Sequence, residues 1–178
     1  MKWTPSPIPG VMIGDCDRYE DDRGYFTRTW SAEDMVAAGL SDRVAQWSIS
    51  HSIEIGTLRG MHYQTGEYAE TKLVRCTHGA IWDVALDLRP ESPTYCKWFG
   101  IELTQQNARS LYIPIGIAHG FQTLENDTEV LYGISPAFTP GQGHGVRWND
   151  PAFGIQWPLP VTKIANRDAG YPDFYFGK

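Results

Sequence analysis

Turn-forming residues interrupt this chain about every 8–12 positions, leaving segments long enough for strands and too short for most helices. The segment "TKLVRCTHGAIWDVALDLRPESPTY" (71–95) shows the pattern, with two strands joined at His78-Gly79 and closed by "PESP" (90–93). In its second arm Trp82, Val84, Leu86 and Leu88 form an apolar set, and Asp83 points the other way. Further strands read from "CKWFGIELT" (96–104), "SLYIPIGIAHGFQTLE" (110–125) and "TEVLYGISPAF" (128–138). Only "WSAEDMVAAGL" (30–40) reads as a helix, with Ser31 as its cap, Glu33 and Asp34 in the first turn and Gly39 as its stop. The 18 glycines and 12 prolines, spread along the chain, supply the turns. An all-β sandwich or barrel follows, formed as one domain over residues 1–178 with a short N-terminal helix. The aromatic tail "RDAGYPDFYFGK" (167–178) is expected to pack on that barrel.

Charge limits the partners. The chain carries a net charge of −6 with a pI near 5.3, and none of its 15 Lys and Arg residues forms a run. This is not a surface built for nucleic acid, so an anionic ligand must be held by a few placed arginines. Cys16, Cys76 and Cys96 are odd in number and show no paired spacing, which fits a reducing compartment. The opening "MKWTPSPIPG" has no apolar run of the signal-peptide kind, and no apolar stretch is long enough to span a membrane. A cytoplasmic protein is expected.

Several polar groups sit where a core is expected. In "GTLRGMHYQ" (56–64) Arg59 and His62 are three apart, which in a regular strand puts them on opposite faces. A bulge, which Gly60 permits, brings both to one cavity. His119 lies in the apolar "IPIGIAHGFQ" (113–122), Lys72 opens a strand, and Tyr132 sits within "EVLYGI". Taken singly, each fits an ordinary structural role. The five histidines, at 51, 62, 78, 119 and 144, include no pair two or four apart, so no metal is expected. A phosphate-binding glycine loop, a dinucleotide fingerprint and a serine nucleophile elbow are also missing. A histidine base, a phenolic acid and cations remain, the set suited to removing a proton beside a carbonyl.

Five blocks in order, "GTLRGMHYQ", "KLVRCTHGAIWDVALDLRPESPTY", "IPIGIAHGFQTL", "GVRWNDPAFGIQWP" and "RDAGYP", give the chain a resemblance to the dTDP-4-dehydrorhamnose 3,5-epimerases over residues 8–172. That resemblance implies a cupin-type jelly-roll barrel, a homodimer and a metal- and cofactor-independent isomerase of deoxysugar biosynthesis. The implied reaction is epimerisation at C3 and/or C5 of a dTDP-4-dehydro-6-deoxyhexose, of the dTDP-4-dehydro-6-deoxy-D-glucose to dTDP-4-dehydro-L-rhamnose type. It implies His62 as general base with Asp168 as its carboxylate, Tyr132 as general acid and Lys72 beside the C4 carbonyl. Arg59, Asp83, His119, Phe26, Gln46 and Phe138 are implied as substrate-binding residues, and Arg23 as an arginine reaching the diphosphate from a neighbouring subunit.

The chain departs from the family pattern at three places. Arg28 replaces a usual glutamate, Ser48 replaces an asparagine in "QWSISHS", and Phe138 stands where many relatives have tyrosine. The first two fall in the region that reads the nucleotide base; the third either alters which carbon is epimerised or only changes how the ring packs. Two other readings stay open: a 3,4-ketoisomerase of the same substrate, and a non-catalytic sugar-binding jelly roll.

Overall fold

The computed structural model describes residues 1–175, and the last three residues of the "DFYFGK" tail lie outside the described residues. The chain begins with β1 (Lys2–Pro5), β2 (Met12–Asp15), β3 (Arg18–Asp21) and β4 (Gly24–Thr27), followed by helix α1 (Ala32–Ala37). Next come β5 (Gln46–Ser52), β6 (Thr57–Gln64), a 3₁₀ turn (Gly66–Tyr68), β7 (Thr71–His78) and β8 (Ala80–Asp87). β9 (Trp98–Thr104), β10 (Ser110–Ile113), β11 (Ile117–Thr123) and β12 (Thr128–Ser135) complete the main strands. The short β13 (Gly143–Gly145), β14 (Lys163–Ile164) and helix α2 (Asn166–Ala169) follow.

Two sheets face each other. The first has the order β1-β2-β10-β7-β12-β5, the second β13-β6-β11-β8-β9 with β14 added to β6, and β3 and β4 form a two-stranded hairpin. This is the expected all-β jelly-roll architecture. The expected junction at His78-Gly79 is a corner between sheets, because β7 belongs to the first and β8 to the second. Gly79 turns it at φ +73°, where a Cβ would come within 2.6 Å of Thr128 Oγ1. The expected helix forms as α1, with the Ser31 side chain accepting from the Asp34 N–H and Gly39 at φ +71° just beyond its end.

The interior between the sheets holds an apolar cluster that includes Val74, Cys76, Ile81, Ala85, Leu111, Ile113 and Phe121. A second cluster covers the outer face of the second sheet, where Val84, Leu86 and Ala118 meet Val146, Phe153 and Ile155, with Trp82 and Phe174 packed alongside. The apolar set of β8 therefore faces outward, under the C-terminal segment, while Ile81 and Asp83 face the interior. Gln122, fully buried, ties that segment down by donating to the Leu159 carbonyl and accepting from the Leu159 N–H, at 2.9 and 3.0 Å. Phe174 continues the contact, its ring 4.9 Å from that of Phe153, so the described part of the tail packs on the barrel as expected. No helix among the described residues is long and apolar enough to cross a membrane.

Candidate active site

Beside the inner cluster lies an open cavity of about 690 Å³, lined from both sheets. The second sheet contributes Arg59 and His62 from β6 and His119 from β11, whereas the first contributes Gln46 from β5, Lys72 from β7 and Tyr132 from β12. Arg59 and His62 share it because β6 bulges. Its register with β11 advances three residues, Arg59 to His62, while β11 advances two, Phe121 to His119. Gly60 sits in the bulge at φ +133°, and a Cβ there would fall 2.5 Å from Gly120 Cα. The local deviation expected from Gly60 is thus present.

Asp168 reaches His62 across 106 residues of sequence. β14 lies parallel to the start of β6, pairing Lys163 with Thr57 and Ile164 with Leu58, and the chain then turns into α2 beside the bulge. Asp168 Oδ1 stands 2.7 Å from His62 Nε2, and Oδ2 accepts from the Gly60 N–H at 3.2 Å. Burial works against the charge on Asp168, but the His62 ring and the Gly60 N–H outweigh it and hold the carboxyl below its ordinary range. An ionised carboxylate only accepts hydrogen bonds, so the His62 Nε2 that faces it is a donor.

His119 forms a second dyad, its Nε2 2.7 Å from Asp83 Oδ1. Asp83 is wholly buried behind His119 and does not line the cavity, contrary to its expected place among the ligand contacts. Its β8 position faces the interior one strand behind His119, so the ring intervenes. Arg59 crosses to the opposite sheet, donating to Ser52 Oγ at 3.1 Å and to the His51 carbonyl at 2.9 Å. Gln46 donates to Ser48 Oγ and accepts from the Phe138 N–H, which ties β5 to the loop that brings Phe138 to the cavity.

Arg23 and Phe26 are not among the lining residues. They belong to the β3–β4 hairpin, where Arg23 is exposed and paired with Asp21, and Phe26 is 65% exposed. The cavity also contains residues the sequence reading did not single out, chiefly Glu70, Gln64 and Arg167. Glu70 carried a usable signal: it precedes Lys72 by two, so an extended chain gives both one face. Among the described residues no group of three His, Cys, Asp or Glu side chains is arranged to hold a metal ion.

A family model described as dTDP-4-dehydrorhamnose 3,5-epimerase matches residues 5–175. The chain is 41% identical over 165 residues to the dTDP-4-dehydrorhamnose 3,5-epimerase of Sinorhizobium fredii, covering 90% of this chain and 80% of that protein. Its fold is similar to that of the Bacillus anthracis dTDP-4-dehydrorhamnose 3,5-epimerase solved with TDP and PPi bound. The TM-score is 0.92 at 35% identity, with 97% and 99% of the two chains covered. It is likewise similar to the Legionella pneumophila dTDP-6-deoxy-D-glucose-3,5-epimerase in complex with dTDP-4-keto-L-rhamnose. There the TM-score is 0.90 at 33% identity, with 96% and 90% covered.

Proposed function

The chain belongs to the dTDP-4-dehydrorhamnose 3,5-epimerase family, and we propose that His62 and Tyr132 carry its reaction from opposite walls of the cavity. The protein is an isomerase that inverts C3 and/or C5 of a dTDP-4-dehydro-6-deoxyhexose. The observation that carries the residue assignment is topological: His62 projects from the second sheet and Tyr132 from the first, into one cavity.

A C–H bond next to the C4 ketone is weakly acidic because its electron pair can move onto the ketone oxygen. His62 Nδ1 takes the proton, and the pair becomes an enolate whose oxygen is met by the Lys72 ammonium. Asp168 stabilises the imidazolium that forms. The Tyr132 hydroxyl then delivers a proton to the same carbon from the other side, and the pair returns to rebuild the ketone. Inversion requires that the two groups stand on opposite faces of the ring. Base and acid steps of this kind contribute about 10²–10⁴-fold each.

Arg59, His119, Gln46 and Phe138 contact the substrate in this reading, with Asp83 orienting the His119 ring from behind. Arg23 and Phe26 reach the cavity of a second copy through the β3–β4 hairpin, which makes the working form a homodimer. The substrate is a nucleotide sugar, with the dTDP form the one favoured by the relatives.

Product analysis by proton NMR tests the reaction. With dTDP-4-dehydro-6-deoxy-D-glucose, the ketone is expected to stay at C4 while C3, C5 or both invert. A ketone relocated to C3 would identify a ketoisomerase, and tight binding without turnover a sugar-binding module.

A further inference from the structure

We propose that Glu70 is a positioning residue for this reaction, its buried carboxylate fixing the Lys72 ammonium so that an N–H is held toward the ketone oxygen. The inference rests on the epimerase reading above and deepens it. Glu70 Oε1 stands 3.0 Å from Lys72 Nζ, and the two side chains are only 8% and 10% exposed. An ammonium so far removed from water is costly without a counter-charge, and Glu70 supplies one.

Donor geometry carries the rest. An ammonium has three N–H bonds. One meets the His62 carbonyl oxygen at 3.3 Å, while the Glu70 carboxylate holds the ammonium in place as an ion pair. No other hydrogen-bond acceptor for Lys72 Nζ is found among the described residues, and both Lys72 and Glu70 line the cavity. The ion pair fixes where the ammonium stands and the His62 carbonyl fixes one N–H, so rotation about the Cε–Nζ bond is stopped and an N–H toward the cavity holds one direction instead of sampling many. A donor aimed before the charge develops needs no reorganisation when the enolate forms.

Glu70 is itself held. Its Oε2 accepts from Gln64 Nε2 at 2.7 Å, and the same amide nitrogen donates to the Tyr68 carbonyl at 3.2 Å. Gln64 Oε1 accepts from the Thr139 N–H at 3.4 Å, next to Phe138. One chain of contacts therefore runs from the Phe138 loop through Gln64 to Glu70 by hydrogen bonds and ends on Lys72 as an ion pair. Both oxygens of Glu70 are engaged in it, which leaves the carboxylate an orienting role and no proton to exchange with the sugar.

The test compares Glu70→Gln and Glu70→Ala with the wild type, using dTDP-4-dehydro-6-deoxy-D-glucose in D₂O. We expect kcat to fall about tenfold in E70Q and about a hundredfold in E70A, with KM unchanged within about twofold. Formate should restore E70A saturably, while neutral formamide should not. E70Q keeps the side-chain volume, so the test survives if E70A does not fold. Wild-type kcat in E70Q, or equal rescue by formate and formamide, would overturn the proposal alone. Wild-type protein that exchanges no ring proton would overturn the epimerase reading and this proposal with it.

Discussion

Asp168 shows how much a single carboxylate sets. One oxygen holds the proton on His62 Nε2 and the other holds the backbone of the bulge at Gly60. Asp168→Asn keeps the shape but offers an amide N–H to the ring, which drives the proton to Nδ1 and removes the base. The expected result is a fall in kcat of about 10²–10⁴-fold with little change in KM, read by steady-state kinetics. Asp87 acts on stability. It is fully buried, which raises its pKa, but Arg89, Ser92 and Thr94 donate to it and bring it down to about 2. Since that lies below the value of about 3.9 for an unfolded chain, the stabilisation is present above about pH 4 and lost as pH falls toward 2. It amounts to on the order of 2 kcal/mol at neutral pH. Asp87→Asn should lower Tm at pH 7 by about 4–8 °C and flatten the drop in Tm between about pH 4 and 2, measured by calorimetry.

Strand β6 owes its function to one irregularity. Gly60→Ala would set a Cβ 2.5 Å from Gly120 Cα and 3.0 Å from the His119 carbonyl, at a φ of +133° that side chains rarely adopt. Thermal unfolding should show a loss of roughly 2 kcal/mol or more, and turnover should fall with it because the bulge aligns His62 with Asp168. The glycine announced that a bulge was permitted, and the strands and α1 were legible from alternation and capping. Which face of β8 is interior was not legible, because both faces are buried and alternation ranks them only by polarity. Asp83 was expected in the cavity from the family resemblance alone, and it lies behind His119. The four-residue α2 is too short to leave a period, so only the family resemblance linked Asp168 to His62. Glu70 and Gln64 escaped notice because a lone polar side chain at a strand end usually faces water.

At the scale of the whole molecule, one surface is unfinished. β5 ends the first sheet as a free edge, and its outward residues Trp47 and Ile49 are 45% and 62% exposed; Ile53, just beyond it, is 74% exposed. Tyr19 and Phe26 on the β3–β4 hairpin are each 65% exposed. An open edge with apolar neighbours is what a second copy would cover. Sedimentation velocity should therefore give a particle of twice the 20.0 kDa chain mass, and a monomer at micromolar concentration would contradict the homodimer. In the proposed reaction two groups on facing sheets address opposite faces of one sugar carbon. Deuterium uptake separates them most directly, with dTDP-4-dehydro-6-deoxy-D-glucose in D₂O and the Tyr132→Phe and His62→Asn variants read by NMR. Tyr132→Phe is expected to place deuterium at the ring carbon with configuration retained, because His62 both removes and returns the proton, and His62→Asn should place almost none. Inversion at the wild-type rate in Tyr132→Phe, or wild-type uptake in His62→Asn, would contradict it.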